Sequence, residues 1–329
     1  MNLFADKPDE SIACCGETGL IKLIRDWLGK ACPPPPFGIG DDCAVIPAPT
    51  GQNTSGLVTV DGVILDRHFT SDTPPEAVAA KLLRRNLSDI AAMGGTPDYA
   101  VLALIADSRL SLAWLETFYR SLGRESIDFQ TRIVGGDCAA GPEGFFSAHL
   151  TLFGHADSAV TRQGAAVGDS FWVTGTLGGS RHGHHLHFTP RLEEGRFLAR
   201  HAGVKAMIDI TDGLAKDLPA LLEDTLAAKL QVEAIPCSED AIRHATDRSQ
   251  PAWQSALTDG EDYELLLVVD QATDAAALLH DWSHAFDTRF TCIGTVIARP
   301  PGAPVLLDAS GEAIDHPGQG YDHYRSSLA

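Results

Sequence analysis

The sequence predicts an α/β protein built as α+β layers and divided into two domains. Three observations carry that expectation. Strand-like apolar runs alternate with helix-like ones in both halves of the chain, which argues against an all-helical or all-β fold. The length of 329 residues exceeds what a single core usually holds. Apolar residues make up 44% and charged residues 21%, a composition able to bury two real cores.

In chain order, Leu20, Ile21, Leu23, Ile24, Trp27 and Leu28 repeat at helical spacing and predict a helix over 16–30. The run Pro33-Pro34-Pro35-Pro36 ends it and acts as a stiff spacer. Next comes Gly38-Ile39-Gly40-Asp41-Asp42, a bare turn carrying two adjacent carboxylates, with an apolar strand directly behind it. Leu57-Val58-Thr59-Val60-Asp61 reads as a strand ending in a carboxylate. Thr73-Pro74-Pro75-Glu76 reads as a helix start, with a capping hydroxyl, proline and an acid in the first turn. That helix is expected to run from about Pro74 to Met93, with Asn86 and Asp89 on one face.

Tyr99 to Ala106 predicts a buried strand, Leu110 to Arg124 an amphipathic helix, and Phe145 to Gly154 a further strand. Between the last two, Arg132-Ile133-Val134-Gly135-Gly136-Asp137 reads as strand, glycine turn, aspartate. A polar stretch over 155–168 marks the boundary between domains 1–155 and 156–329. Beyond it, Phe171-Trp172-Val173-Thr174 is a strand leading into Gly175-Thr176-Leu177-Gly178-Gly179-Ser180. Such a glycine turn can offer N–H groups to phosphate, although it lacks the Lys-Ser/Thr ending of a P-loop. Pro190 to His201 predicts a helix, and Met207 to Gly213 joins a strand to a helix that runs into Leu222. An apolar strand follows Asp259-Gly260-Glu261-Asp262.

Charge and cysteine usage narrow the partners. Forty-four acidic side chains against 25 basic ones give a formal net charge of −19, which repels nucleic acid and anionic membranes. Seven cysteines without a CxxC pair argue against a disulfide framework or a structural zinc site. Without a signal-like start or a membrane-length apolar run, the chain is expected to be cytoplasmic.

The recurring pattern is an aspartate at a glycine turn, strand end or helix end: Asp42, Asp61, Asp89, Asp137, Asp209 and Asp212. Each alone reads equally well as a strand terminator or solvated loop acid, and Asp212 as a first-turn acid behind a capping Thr211. Together their repulsion calls for a cation, and several Mg²⁺ around a polyphosphate suit them. His182, His184, His185 and His187 read as a solvated helix start or loop.

These motifs resemble the thiamine-monophosphate kinase family, within the superfamily that includes aminoimidazole ribonucleotide synthetase. The matching blocks include Gly38-Ile39-Gly40-Asp41-Asp42, Thr59-Val60-Asp61 with His68-Phe69, and Asn86-Leu87-Ser88-Asp89-Ile90-Ala91-Ala92-Met93-Gly94. Gly135-Gly136-Asp137, Thr161-Arg162-Gln163-Gly164, Ile208-Asp209-Ile210-Thr211-Asp212-Gly213-Leu214 and Gly260-Glu261-Asp262-Tyr263-Glu264-Leu265 follow in order. Gly320-Tyr321-Asp322-His323 resembles the family's ending.

The resemblance implies a two-domain aminoimidazole ribonucleotide synthetase-like fold and a homodimer whose amino-terminal sheets join in a barrel. It implies ATP-dependent phosphorylation of thiamine monophosphate to the diphosphate by direct in-line transfer. By matching position, Asp42, Asp61, Asp89, Asp137, Asp209 and Asp212 would hold Mg²⁺ with Thr59 and Val60, and Asp42, Asp137 and Asp212 would carry catalysis. Gly136, Asp137, Arg162 and Thr211 would contact ATP, and His68 and Glu261 the thiamine phosphate.

Three positions and one segment depart from the family pattern. Asp259 replaces a usual glycine, Thr211 a usual serine, and the segment between Gly183 and Pro190 is short and histidine-rich. Gly318 takes a substrate-side position where an aromatic residue often stands. Two other readings are a related ATP-using kinase or synthetase with a different acceptor and a non-catalytic nucleotide-binding regulator. Retention of all six aspartates favours catalysis over the regulator.

Overall fold

The computed structural model describes residues 40–47, 54–248 and 250–314, together with isolated positions 19, 22, 34 and 35. The expected helix over 16–30 (its two isolated positions aside), Gly318 and Gly320 to His323 lie outside the described residues.

Two sheets divide the chain. Strands β1 (Ala44–Pro47), β2 (Ser55–Ile64), β3 (Thr96–Ala106), β4 (Arg132–Ala140) and β5 (Phe146–Ala156) form the first, in the order β1-β2-β5-β3-β4. Its pairs are antiparallel except β3 with β4. The second sheet has the order β11-β8-β10-β6-β9-β7. Its strands are β6 (Ser170–Thr174), β7 (Val204–Asp209), β8 (Leu226–Leu230), β9 (Leu265–Val269), β10 (Phe290–Ala298) and β11 (Leu306–Leu307). The chain changes sheet across 157–169, the polar stretch expected to mark a boundary.

Helix α1 (Pro75–Ala92) is the piece that ties the two sheets together. It packs on β2 and β5 of the first sheet, and on β7 and helix α3 (Leu192–Ala199) of the second half. One apolar cluster accordingly runs through Leu87 and Ile90 of α1, Leu150 and Leu152 of β5, and Trp172, Met207 and Leu267 of the second sheet. Lying between two layers, α1 buries residues on most of its faces, Lys81, Asn86 and Ser88 among them. Helix α2 (Leu112–Asp128) covers the rest of the first sheet's inner face, stacking Trp114 and Phe118 near Phe146. A second cluster, with Phe171, Ile208, Leu266 and Ile293, fills the far side of the second sheet. Helices α4 (Glu239–Arg248), α5 (Ala252–Thr258) and α6 (Ala275–Ala285) complete that half.

Several local expectations change. The Thr73 hydroxyl does not cap α1; it accepts the Thr70 N–H at 3.1 Å, and Pro74 occupies the cap position. Asp61 does not end its strand, because β2 continues to Ile64 in register with β5. Gly135 and Gly136 form no turn, because β4 runs through them. A Cβ on Gly136 would lie 1.9 Å from the Leu102 carbonyl oxygen, so only glycine lets the strands approach there. The helix after Asp209 is a single turn, Leu214–Asp217, continued as a 3₁₀ turn to Leu221, and Gly213 rather than Thr211 precedes it.

Candidate functional site

The strand ends and loops that meet around α1 enclose a cleft of about 560 Å³. Of the sequence-predicted residues, Asp42, Thr59, Val60, Asp61, His68, Asp89, Arg162, Asp209, Thr211, Asp212 and Glu261 line it. They come from six places: the loop before β1, β2 and its exit, α1, the inter-sheet segment, the end of β7, and the loop before β9. Carboxylate oxygens of Asp42, Asp89 and Asp209 all lie within 4.8 Å of one another.

The placement of Asp89 follows from helix geometry. Lys81, Arg85, Ser88 and Asp89 are spaced i, i+4, i+7 and i+8 on α1, so they form one polar stripe along the helix. That stripe meets the cleft loops. Thr59 Oγ1 donates to Asp89 at 2.5 Å, and the Ser88 hydroxyl donates to Asp209 across to the second sheet. Asn86, expected to share the face of Asp89, is fully buried and donates to the carbonyl oxygens of Leu82 and Asp61. It fixes the backbone of β2 and does not line the cleft.

Charge pairing divides the cleft acids into two groups. Asp42 receives a two-pronged Arg162 guanidinium, at 2.8 and 3.1 Å. Asp61 lies 2.6 Å from Arg85, Asp212 2.6 Å from Lys216, and Glu261 2.6 Å from Lys81. Among the described residues, Asp89 and Asp209 have hydroxyl partners but no basic one. Burial and the charges of Asp61 and Asp42 hold the Asp89 carboxyl well above its ordinary range. Burial and the charges of Asp89 and Asp42 do the same to Asp209. Half-buried Asp89 and buried Asp209, which have no ion-pair partner of their own among the described residues, face an Asp42 held by Arg162, and together they form an oxygen donor set that fits a hard divalent ion.

Three supporting residues had no role in the sequence reading. Asp41 accepts the Arg162 backbone N–H at 3.1 Å, fixing the segment that carries the guanidinium. Asp217 accepts the N–H groups of both Thr211 and Asp212 at 2.9 Å, and so sets the turn that points them into the cleft. Arg85 pairs with Asp61 and also donates to the Gly62 carbonyl oxygen. The signal for Arg85 was its i, i+4 spacing from both Lys81 and Asp89.

The glycine turn before Ser180 takes a different part from the one expected. Gly178 N–H donates to Asp262 Oδ1 at 2.7 Å and Gly179 N–H to Asp259 Oδ2 at 2.9 Å, so carboxylates occupy those donors. Gly260, at φ +68, sits where a Cβ would come within 2.7 Å of the Thr211 carbonyl oxygen. The histidine-rich segment forms a 3₁₀ turn and a single helical turn, with the His182 and His244 rings stacked at 3.5 Å.

Gly136 and Asp137 do not join the cleft within one chain. Asp137 pairs with Ala103 and shares the outer face of the first sheet, whereas Asp61 pairs with Leu150 on the face that packs against α1. Three strand spacings, roughly 14 Å, also separate β4 from β2.

The supporting acids make stability depend on pH. Burial and the Asp42 charge push Asp41 up to about 6, and burial with the Asp212 charge pushes Asp217 up to about 8. An acid with a raised folded pKa keeps a proton that the unfolded chain has lost, so stability falls as pH rises through that interval. In EDTA, the urea midpoint is expected to drop between about pH 5 and about pH 8. A midpoint that climbs over that range would contradict these placements.

Comparison with known proteins gives the following. Residues 40–156 match the family described as AIR synthase related protein, N-terminal domain. The thiamine-monophosphate kinase of Salmonella typhimurium strain LT2 is 34% identical over 334 residues, covering 94% of this chain and 98% of that protein. A solved structure described as AaThiL complexed with AMPPCP and TMP superposes with a TM-score of 0.80 at 26% identity, over 95% of this chain and 98% of that one. The thiamine monophosphate kinase of Aquifex aeolicus superposes with a TM-score of 0.74 at 26% identity, over 90% and 97%.

Proposed function

Because the chain belongs to the thiamine-monophosphate kinase family, we propose that its cleft transfers the γ-phosphoryl group of ATP to thiamine monophosphate, giving thiamine diphosphate. The observation that carries this reading is the meeting of Asp42, Asp89 and Asp209 beside the half-buried Arg162, in a cleft that Glu261 and His68 also line. The cleft lies between the two units, proposed as 1–155 for metal, ATP and dimer contacts and 156–329 for completing the nucleotide and acceptor site.

In this reading Asp42, Asp89 and Asp209 hold Mg²⁺, with Asp61, Asp212, Thr59 and the Val60 backbone around them. Bound there, Mg²⁺ neutralises phosphate charge and aligns donor and acceptor. The chain's own groups do the rest. Arg162 supplies a fixed cation for nucleotide phosphate, and Thr211 offers its hydroxyl from the turn that Asp217 sets. His68 and Glu261 meet the acceptor. The His68 ring is fixed, since Nδ1 accepts the Ile64 N–H at 3.0 Å and Nε2 is left to carry the proton. Little covalent chemistry is asked of the protein, and positioning dominates.

Gly136 and Asp137 enter through a second copy of the chain. Val60, Tyr99 and Ile105 stand exposed on the same outer sheet face as Asp137, and joining two such faces buries them. A homodimer built on that face is the route by which Asp137 reaches a metal and nucleotide site. Ile105→Glu is expected to convert a dimer to a monomer in size-exclusion chromatography and to cut activity with it. A monomeric parent protein would contradict this arrangement.

The function is tested by ADP release with and without thiamine monophosphate. Release that depends on the acceptor and on Mg²⁺ is expected, and acceptor-independent ATP hydrolysis would count against the kinase reading.

A further inference from the structure

The acceptor side of the cleft rests on a cation that is not itself exposed there. Lys81, in the middle of α1, has no exposed surface. Its Nζ lies 2.6 Å from Glu261 Oε1 and donates to the His68 carbonyl oxygen at 2.9 Å. Those are the two residues to which the function proposed above gives the acceptor, and they come from opposite halves of the chain. Burying an ammonium is costly unless it is both paired and hydrogen-bonded, and Lys81 is both. A buried ion pair adds little stability over an apolar pair of the same volume, so its value lies in fixing geometry.

Glu261 needs such fixing. It sits at φ +53, a left-handed conformation unusual for a residue with a long side chain, between Gly260 at φ +68 and a loop that also holds Tyr263 at φ +53. Its N–H is tied to the Thr211 carbonyl oxygen at 2.7 Å. Its carboxylate takes Lys81 and the Tyr263 hydroxyl, the latter at 3.2 Å, both on Oε1. Oε2 is thereby left for a ligand.

We propose that Lys81 is a positioning residue for the acceptor, joining the Glu261 carboxylate and the His68 backbone into one unit that meets a phosphate-bearing cationic heterocycle in fixed geometry. The proposal rests on the acceptor reading of Glu261 and His68. Lys81 reaches the ligand only through them.

The test is a double-mutant cycle on Lys81→Met, Glu261→Gln and the double variant. It reads KM for thiamine monophosphate, KM for ATP, and calorimetric binding of thiamine monophosphate without ATP. Lys81→Met is expected to weaken the acceptor about tenfold or more in both KM and binding, with the ATP KM within about twofold. Because Lys81 acts through Glu261, the double variant is expected to match the weaker single variant within about threefold. If Glu261→Gln weakens the acceptor while Lys81→Met does not, or if the two effects multiply, Lys81 is not a positioning residue. If Glu261→Gln leaves the acceptor untouched, the acceptor reading fails and takes this proposal with it. Should Lys81→Met not fold, Lys81→Gln, which keeps a neutral donor, replaces it in the same cycle with the same criteria.

Discussion

Asp209→Asn is expected to lower kcat by about a hundredfold or more while leaving the fold intact. Asparagine has the shape of aspartate, and its amide oxygen still accepts the Ser88 hydroxyl that ties β7 to α1. What the change removes is one negative charge from three carboxylates gathered within 4.8 Å. Two readouts separate this from simple damage. In EDTA the variant should be as stable as the parent or more so, because Asp209 is buried against Asp89 and Asp42 with no basic partner. With Mg²⁺, the stabilisation seen in the parent should shrink, since binding to the folded state raises its stability. Turnover within about threefold of the parent at saturating Mg²⁺ would remove Asp209 from the metal set.

Arg162→Ala is expected to raise the KM for ATP by about tenfold to a hundredfold, with the acceptor KM within about twofold. Charge-assisted hydrogen bonds are worth roughly 1.5–3 kcal/mol, which corresponds to that range. The guanidinium is aimed by two contacts: Asp41 holds its backbone N–H, and Asp42 holds the fork itself. Arg162→Lys keeps the charge but loses the fork, so it should fall between parent and alanine variant. An unchanged ATP KM, with only the Mg²⁺ dependence altered, would mean that Arg162 serves Asp42 and not the nucleotide.

Much of this site was legible because its acids sit where secondary structure stops. Asp42, Asp209 and Asp212 are announced by glycines and strand ends, and local sequence is enough to see them. Asp137 carries the same announcement, yet it lies on the other face of the sheet from Asp61. That difference depends on strand pairing. The register of β3 slips between Ala100 and Val101 against β4, and between Pro97 and Tyr99 against β5. A one-residue slip moves a side chain to the opposite face, and no local pattern reports it.

The polar stripe of α1 was within reach of the sequence. Lys81, Arg85, Ser88 and Asp89 have helical spacing, but a charged residue beside apolar ones reads first as a solvated surface. Only the burial of α1 between two sheets turns Lys81 and Arg85 into partners of Glu261 and Asp61. Asp41 and Asp217 were hidden for another reason. Their partners are backbone N–H groups of residues distant or freshly turned, and such bonds leave no trace in composition or periodicity. The glycine turn before Ser180 was misleading because its free-looking donors are claimed by Asp262 and Asp259 from more than 75 residues away.

The reaction assigned to this cleft moves a phosphoryl group onto the phosphate of thiamine monophosphate. Phosphorus NMR of the products after incubation with ATP, Mg²⁺ and thiamine monophosphate tests it most directly. Thiamine diphosphate and ADP are expected in equal amounts, with no product when Mg²⁺ is withheld. Free inorganic phosphate with thiamine monophosphate left unchanged would contradict it.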